Sequence, residues 1–229
     1  MVLRGCPVCS RGAWAFEPLP DSYFGEWRRW GFPYAPEDFE TLNVRDYACP
    51  SCHSPDRDRM CAIWIGRRAV RTGSLLDVGP SPSLAGFLRT RFDYLSLDAI
   101  RDADVRGDVQ ELTYSADSFD AFVCSHVLEH VPDDRRALAE LRRVLRPDGW
   151  GIVMVPVCLA APSIDEDGAV DEATAWRRFG QGDHVRLYDR AGFLERLAEA
   201  GFELEEWRPR MFDRLRYGLA RGSVLYVVK

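Results

Sequence analysis

The chain has 229 residues, with 30 Lys and Arg against 36 Asp and Glu and a formal net charge of −6. This length fits one large domain that carries at most a small accessory module, and a composition of 29% charged and 12% aromatic residues is that of a folded protein. The acidic balance argues against a protein whose main task is to coat nucleic acid or an anionic membrane, because both surfaces favour basic residues.

The N-terminal residues lack the apolar segment of a signal peptide, and the most apolar stretch, residues 150–162, is too short to span a bilayer. We therefore expect a cytoplasmic protein. In that reducing compartment, the 7 cysteines are expected to be metal ligands or buried thiols.

Two Cys-x2-Cys pairs, Cys6 with Cys9 and Cys49 with Cys52, lie in the first quarter of the chain. Four thiolates complete a tetrahedral zinc ion and leave no open position, so we predict a structural zinc module over residues 1–54. The pairs are separated by 39 residues, more than the usual spacing, and His53 is an alternative ligand. Redox-active or inert thiols are the alternative roles for these cysteines.

Residues 1–72 carry ten arginines and nine acidic residues, so the module with its linker is nearly neutral. Turn-forming prolines and glycines predict an irregular fold for the module. Aromatic residues scattered over the first 40 positions fit either pocket walls or a dimer interface, and the sequence leaves the oligomeric state open.

A linking helix is predicted over residues 55–72, with Ser54 as its N-cap, Pro55 at its first position and Gly73 as its stop. Its apolar face is formed by Met60, Ile63, Trp64 and Val70.

From residue 73 onward, strands and helices alternate, which predicts an α/β protein with a doubly wound, mostly parallel sheet covered by helices on both faces. The predicted strands are 75–78, 94–97, 119–124, 151–155, 202–207 and 223–228, and the predicted helices are 83–91, 133–145 and 189–200. Acid-rich residues 157–182 interrupt the alternation and are predicted to form an inserted flap with a short helix over 173–179.

The first strand ends in the turn Asp77-Val-Gly79-Pro-Ser81. A tight turn at this place in a doubly wound sheet is where adenosine-containing cofactors bind, because glycine lets the backbone approach the ligand. Asp98 ends the second strand 21 residues after Asp77, a distance at which an acidic side chain can accept hydrogen bonds from both ribose hydroxyls.

Several segments occur in one order over residues 74–205: LLDVGPSPS, the strand end at Asp98, GDVQEL, SFDAFVCSHVLEHV, ALAELRRVLRPDGWGIVMVP and LAEAGFE. These segments and their order resemble those of class I methyltransferases of the type 11 kind, which use S-adenosylmethionine. The resemblance implies a Rossmann-like methyltransferase domain over residues 73–229. The glycine loop departs from the family pattern, since its usual two or three glycines are replaced by Gly79-Pro-Ser-Pro-Ser83. A nucleotide dehydrogenase, the rival for this fold, would need G-x-G-x-x-G, which is absent.

The resemblance implies that S-adenosylmethionine is bound by Asp77, Gly79, Pro80, Ser81, Asp98, Ala99, Asp108, Val109, Ser125 and His126. Asp98 would bind the ribose, Asp108 would accept from the adenine amino group, and Val109 would offer its backbone N–H to the ring. The alternative to cofactor binding is that Asp98 and Asp108 are ordinary loop residues with solvated side chains.

The segment His126-Val-Leu-Glu129-His130 matches H-x-x-E-H, the inverted zinc-peptidase signature. That signature needs a helix, but here a strand ends at Ser125 and Pro132 follows closely. We favour the methyltransferase interpretation and place His130 among the substrate-binding candidates.

The flap ends in Asp183-His184-Val-Arg186-Leu-Tyr188. We predict His184 as a general base for an oxygen or nitrogen acceptor, oriented by Asp183 or another carboxylate, with Arg186 and Tyr188 as substrate-binding residues. The alternatives are that His184 caps a helix or ties down the flap, and that methyl transfer proceeds by positioning alone.

Arg57 and Arg59 lie in the Asp-Arg-Asp-Arg run that opens the linking helix. A solvated, self-paired charge run is one interpretation, and an arginine turned inward to bind the cofactor carboxylate or an anionic substrate is the other.

We expect a small biosynthetic molecule as the acceptor. An RNA methyltransferase should carry a basic zinc module with stacking aromatics, whereas this module is nearly neutral. A non-catalytic scaffold protein that retains the fold is the alternative outside catalysis.

Overall fold

The computed structural model describes residues 4–68 and 73–229. The linking helix begins at Asp56, with Pro55 and not Ser54 as its N-cap, and ends at Arg67, earlier than predicted. The predicted residues 69–72, including Val70, lie outside the described residues. Over the described part of the chain, none of the helices has both the length and the apolar character needed to cross a membrane.

The helices are α1 (Asp21–Trp30), α2 (Asp56–Arg67), α3 (Pro82–Arg89), α4 (Asp134–Val144), α5 (Glu172–Phe179), α6 (Arg190–Glu199) and α7 (Met211–Tyr217). The strands are β1 (Arg4–Gly5), β2 (Gly12–Ala13), β3 (Ser74–Val78), β4 (Asp93–Asp98), β5 (Val105–Arg106), β6 (Phe119–Ser125), β7 (Leu145–Met154), β8 (Asp165–Glu166), β9 (Arg186–Leu187), β10 (Leu204–Trp207) and β11 (Leu225–Val228).

Seven strands form the central sheet in the order β10-β11-β7-β6-β3-β4-β5. The pairs from β7 through β5 are parallel, whereas β11 runs antiparallel to both β7 and β10. The predicted α/β doubly wound, mostly parallel sheet is therefore confirmed. Strand β7 begins earlier than the predicted strand 151–155, because Leu145 already pairs with Phe119, and the register then shifts so that Ala121 pairs with Trp150.

Neighbouring residues of each central strand point to opposite faces of the sheet. Leu75 packs with the helices α2 and α3, and Leu76 packs with α4 and α6. Burying a leucine side chain stabilises a fold by roughly 1.5–3 kcal/mol, so both faces contribute to the core.

The N-terminal segment contains a helix, α1, that the sequence analysis did not predict. It ends at Gly31, whose φ of 71° closes the last turn in the left-handed region. The indole Nε1 of Trp27 donates to the carbonyl oxygen of Gly180 at 2.9 Å, and Trp27 shares an aromatic core with Phe32 and Phe179 of the flap. The N-terminal segment and the flap therefore pack as one layer over the carboxyl end of the sheet.

Arg59 has a structural role in place of the predicted contact with a ligand. Its side chain is fully buried, and its guanidinium donates to the carbonyl oxygens of Asp46, Tyr47, Ser54, Tyr217 and Gly218. The arginine thus joins the segment around the second cysteine pair to the C-terminal part of the chain.

Replacing Arg59 by lysine is expected to lower the free energy of unfolding by about 3 kcal/mol, because an ammonium offers three donors where five are used and leaves buried carbonyls unpaired. Chemical denaturation measures this change. Arg29→Lys is the control, since that side chain is 66% exposed. Equal stability of the two variants would contradict the structural role of Arg59.

Candidate active site

Two adjoining cavities open at the carboxyl ends of the parallel strands. The larger, about 430 Å³, lies against the turns after β3, β4 and β6, and the smaller, about 230 Å³, lies beneath α1 and the flap. They share Arg101, His126 and His130 in their walls. This edge of an open α/β sheet is where ligands bind.

The larger cavity is lined by a glycine just after β3 and by acidic side chains at the end of β4 and just after β5. A Cβ on Gly79, whose φ is +66°, would lie 2.5 Å from Val127 Cγ2, so only glycine fits the turn. The Asp98 carboxylate is fixed at the wall by the backbone N–H groups of Ile100 and Arg101, each donating to Oδ1 at 2.7 Å. The wall can therefore hold a ligand that carries hydroxyl groups.

Six of the predicted cofactor-binding residues line this cavity: Gly79, Asp98, Ala99, Asp108, Val109 and His126. The other four, Asp77, Pro80, Ser81 and Ser125, are not part of its wall. Asp77 is buried and accepts a hydrogen bond from the Tyr94 hydroxyl at 2.8 Å, and burial raises its pKa to about 7. The hydroxyl of Ser125 is also buried, without a hydrogen-bond partner among the described residues.

The Pro-Ser loop after Gly79 is held in place by helix α2. Ser81 caps α3 by accepting from the backbone N–H of Leu84 and donates to the buried carboxylate of Asp58. Ser83 donates to the same Asp58 oxygen at 2.8 Å. These bonds fix a loop that has lost the glycines expected from the resemblance.

The smaller cavity combines aromatic walls with positive charge. Tyr23, Trp27 and Phe39 form one side, and Arg57 contributes a guanidinium whose Nη1 donates to the Tyr47 hydroxyl at 3.3 Å. Burial raises the pKa of Tyr23 to about 12. The sequence predicted that one of Arg57 and Arg59 would turn toward a ligand, and Arg57 lines the cavity whereas the buried Arg59 does not. Tyr23, Trp27 and Phe39 are thus the aromatic residues of the N-terminal segment that act as pocket walls.

Three histidines surround one buried carboxylate at the junction of the cavities. This histidine cluster consists of His126, His130 and His184 around Glu129, which is 1% exposed. The rings of His130 and His184 meet edge to face at 4.7 Å, and His126 Nδ1 lies 3.3 Å from Glu129 Oε1. Burial would raise the pKa of Glu129, but the neighbouring imidazoles, His126 first, lower it to about 2. Burial lowers the pKa of His184 to about 4.

His126 occupies a strained position at the end of β6. Its φ is +57°, a left-handed conformation that is uncommon for residues other than glycine. Such strain is often found at functional sites. The turn directs the imidazole to the boundary between the two cavities, where it lines both.

The buried carboxylate beside His184 is Glu129, which is the other carboxylate that the prediction left open besides Asp183. Asp183 is exposed, and its Oδ2 lies 3.4 Å from His130 Nδ1. The sequence analysis singled out the HVLEH segment without assigning Glu129 to the site. The H-x-x-E-H match was the sequence signal for this carboxylate, but the sequence did not show which side chain would lie beside it.

Arg186 and Tyr188 line neither cavity and are buried in a structural network. Arg186 donates to the carbonyl oxygens of Val131 at 2.6 Å and Pro132 at 2.8 Å, and also to that of Leu128. The Tyr188 hydroxyl donates to Asp134 Oδ2 at 2.5 Å. In place of the predicted substrate contacts, these side chains hold the turn that carries the histidine cluster.

Residues 128–130 form a turn rather than a helix. The two histidines of the H-x-x-E-H match are therefore not displayed along one helix face. The segment does not have the geometry of the inverted peptidase signature, as its sequence context predicted.

The four cysteines of the two pairs form a compact cluster. The Sγ atoms of Cys6 and Cys52 are 3.7 Å apart, those of Cys9 and Cys49 are 4.0 Å apart, and all four lie within 4.8 Å of one another. This geometry can hold one metal ion. His53, the alternative ligand, is exposed and lies near Glu17 outside the cluster.

Residues 71–153 match the Methyltransf_11 family model, described as a methyltransferase domain. This chain contains an S-adenosylmethionine-dependent methyltransferase domain. The match begins just before β3 and ends within β7, so it spans the strands whose ends form the larger cavity.

Solved structures similar to this methyltransferase include an S-adenosylmethionine-dependent methyltransferase from Mesorhizobium loti, with 19% identity over 75% of this chain and 96% of that chain, at a TM-score of 0.52. A structure of a Haloferax volcanii complex with the Trm112 methyltransferase activator has 17% identity over 75% of this chain and 92% of that chain, at a TM-score of 0.49. The 1,6-didemethyltoxoflavin-N1-methyltransferase of Burkholderia thailandensis has 19% identity over 75% of this chain and 74% of that chain, at a TM-score of 0.45. The first of these supports the fold, a seven-stranded sheet of the class I kind.

Proposed function

We propose that this methyltransferase binds S-adenosylmethionine in the larger cavity and transfers its methyl group to an oxygen or nitrogen of a small molecule in the smaller one. The observation that carries the proposal is the shared wall of Arg101, His126 and His130. A sulfonium methyl on one side of this boundary can face an acceptor atom on the other. Methyl transfer is an in-line displacement, so such positioning supplies much of the catalysis.

Three side-chain and backbone contacts are proposed for the cofactor. Asp98 accepts hydrogen bonds from the ribose hydroxyls, Asp108 accepts from the adenine amino group, and the backbone N–H of Val109 donates to the ring. Asp98 and Asp108 are already oriented by backbone N–H groups at 2.7–2.8 Å, which favours binding without rearrangement.

The acceptor is proposed to be a small, flat molecule with an anionic group, from a biosynthetic reaction. The aromatic walls suit a planar ring, and Arg57 and Arg101 suit a carboxylate or phosphate. A cavity of about 230 Å³ under α1 and the flap suits a small molecule better than an RNA strand. We propose no nucleic-acid partner.

The histidine cluster is proposed to assist the departure of the acceptor's proton. His184 lies in the wall of the acceptor cavity, and Glu129 is the buried carboxylate beside it.

The four-cysteine cluster is proposed to hold a structural zinc ion. Zn–S bonds of about 2.3 Å place tetrahedral sulfur atoms about 3.8 Å apart, which agrees with the observed 3.7 and 4.0 Å. Closed coordination by four thiolates keeps this ion out of the chemistry. Four reduced thiols also suit the cytoplasm, where we place the protein.

Replacing Asp98 by alanine is expected to weaken the binding of S-adenosylhomocysteine by about 10²-fold, because two hydrogen bonds to a charged acceptor are lost at about 1.5 kcal/mol each. Titration calorimetry measures this change. Asp93→Ala is the control, since Asp93 is exposed at the opposite end of the same strand.

Wild-type protein that binds neither S-adenosylmethionine nor S-adenosylhomocysteine would refute the proposed function and favour a scaffold role. If the protein binds the cofactor and labelled methyl groups pass to RNA but not to small aromatic acids, the proposed acceptor is wrong.

A further inference from the structure

A second group of metal-ligand side chains lies outside the four-cysteine cluster. Glu129 and His130 come from the turn after β6, and His184 comes from the end of the flap. One ligand atom from each lies within 4.8 Å of the other two. We propose that Glu129, His130 and His184 bind a divalent transition-metal ion at the boundary of the two cavities.

Buried ligand atoms without aligned hydrogen bonds favour a cation at this place. Both carboxylate oxygens of Glu129 and Nδ1 of His184 are buried and have no well-aligned hydrogen bond among the described residues, although His126 Nδ1 lies 3.3 Å from Glu129 Oε1. Burying a carboxylate without aligned hydrogen bonds costs several kcal/mol. A metal ion would satisfy these atoms at once.

The surroundings of His130 resemble those of a metal-bound histidine. Its Nδ1 lies 3.2 Å from the carbonyl oxygen of Asp183 and 3.4 Å from that residue's carboxylate. A ring N–H donated to such a group fixes the ring and leaves Nε2 for a metal, as is usual for ligating histidines. Asp183 is thereby a positioning residue in this site.

The backbone that carries the ligands is held firmly. The carbonyl oxygen of Glu129 accepts from the Val185 N–H at 2.9 Å, which ties the turn to the residue after His184. Arg186 holds the carbonyl oxygens of Val131 and Pro132 in the same turn. The three ligands are therefore brought together by a rigid structure, as preorganised metal sites require.

The ligand set indicates the kind of metal and its role. Two imidazoles and one carboxylate suit zinc or ferrous iron and leave at least one coordination position open. Because Glu129, His130 and His184 all line the smaller cavity, that position would face an acceptor. A hydroxyl bound to such a metal has a lowered pKa, so the site favours a hydroxyl-bearing acceptor. This last step rests on the proposed function, whereas the metal site does not.

The test is the number of metal ions bound per chain after titration of the metal-free, reduced protein with cobalt(II) alone. Wild-type protein should bind two ions, one with intense thiolate-to-cobalt absorption and one with weak visible bands only. Glu129→Gln, which keeps the side-chain volume, and His184→Ala should each lose the second ion and retain the thiolate signal. Cys49→Ser should lose the thiolate signal, and His53→Ala, an exposed neighbour of the cysteines, should bind two ions.

One ion in the wild type, removed by Cys49→Ser and unaffected by Glu129→Gln, would overturn the proposal. Circular dichroism and S-adenosylhomocysteine binding of Glu129→Gln and His184→Ala test whether these two variants are folded. Cofactor binding with one ion would reject the second metal site alone, and two ions without cofactor binding would reject the proposed function alone.

Discussion

Replacing Cys49 by serine is expected to abolish binding of the proposed zinc ion at the four-cysteine cluster and to unfold the segment around it. The core beneath this segment is small, with Cys6, Phe16 and Cys49 as its buried members among the described residues. Structural zinc contributes roughly 10–16 kcal/mol in zinc-finger peptides, which is as large as the whole stability of an ordinary domain. Zinc content and limited proteolysis of residues 4–54 measure the two effects.

Cys61→Ala is the matched control, because Cys61 is equally buried but lies in α2 outside the cluster. It should retain the zinc and the protease resistance of the wild type. Cys49→Ser protein that binds as many zinc ions as the wild type and shows an unchanged proteolysis pattern would contradict the zinc assignment.

Replacing Asp134 by alanine is expected to lower the free energy of unfolding by about 3 kcal/mol, because it removes the buried carboxylate that Arg186 and Arg196 share and leaves them only the partly exposed Glu166. Asp134 is 2% exposed and accepts from Arg196 and from the Tyr188 hydroxyl, with Arg186 Nε at 3.7 Å. Denaturant titration measures the loss. Since Arg186 also holds the turn of the histidine cluster, binding of the second metal should weaken as well.

Glu199→Ala provides the comparison for Asp134→Ala. Glu199 pairs with Arg135 at 2.9 Å, but both side chains are about half exposed, so the pair is worth at most about 1 kcal/mol. Equal losses in the two variants would mean that the buried network does not stabilise the turn.

The sequence by itself determined the alternation of strands and helices and the places of the residues at strand ends. Gly79 and Asp98 follow directly from this alternation, because a strand must end before its side chains can reach the edge of the sheet. The two cysteine pairs were equally visible, since the short spacing within each pair is a local property. Strand ends and Cys-x2-Cys turns depend on a few neighbouring residues, so the sequence alone predicts them.

Only the tertiary structure decided which polar side chains face the site. Arg57 and Arg59 are two residues apart, yet one lines a cavity and the other bonds carbonyl groups 158 and 159 residues away. Helix α1 was missed for a similar reason: a helix of ten residues is marginal alone, and α1 is stabilised by packing on the flap. His184 lies beside Glu129 only because the segment that follows the flap packs against the turn after β6, where the Val185 N–H donates to the Glu129 carbonyl oxygen. The partners of buried polar groups often come from segments that are distant in sequence, and a local sequence pattern does not predict these contacts.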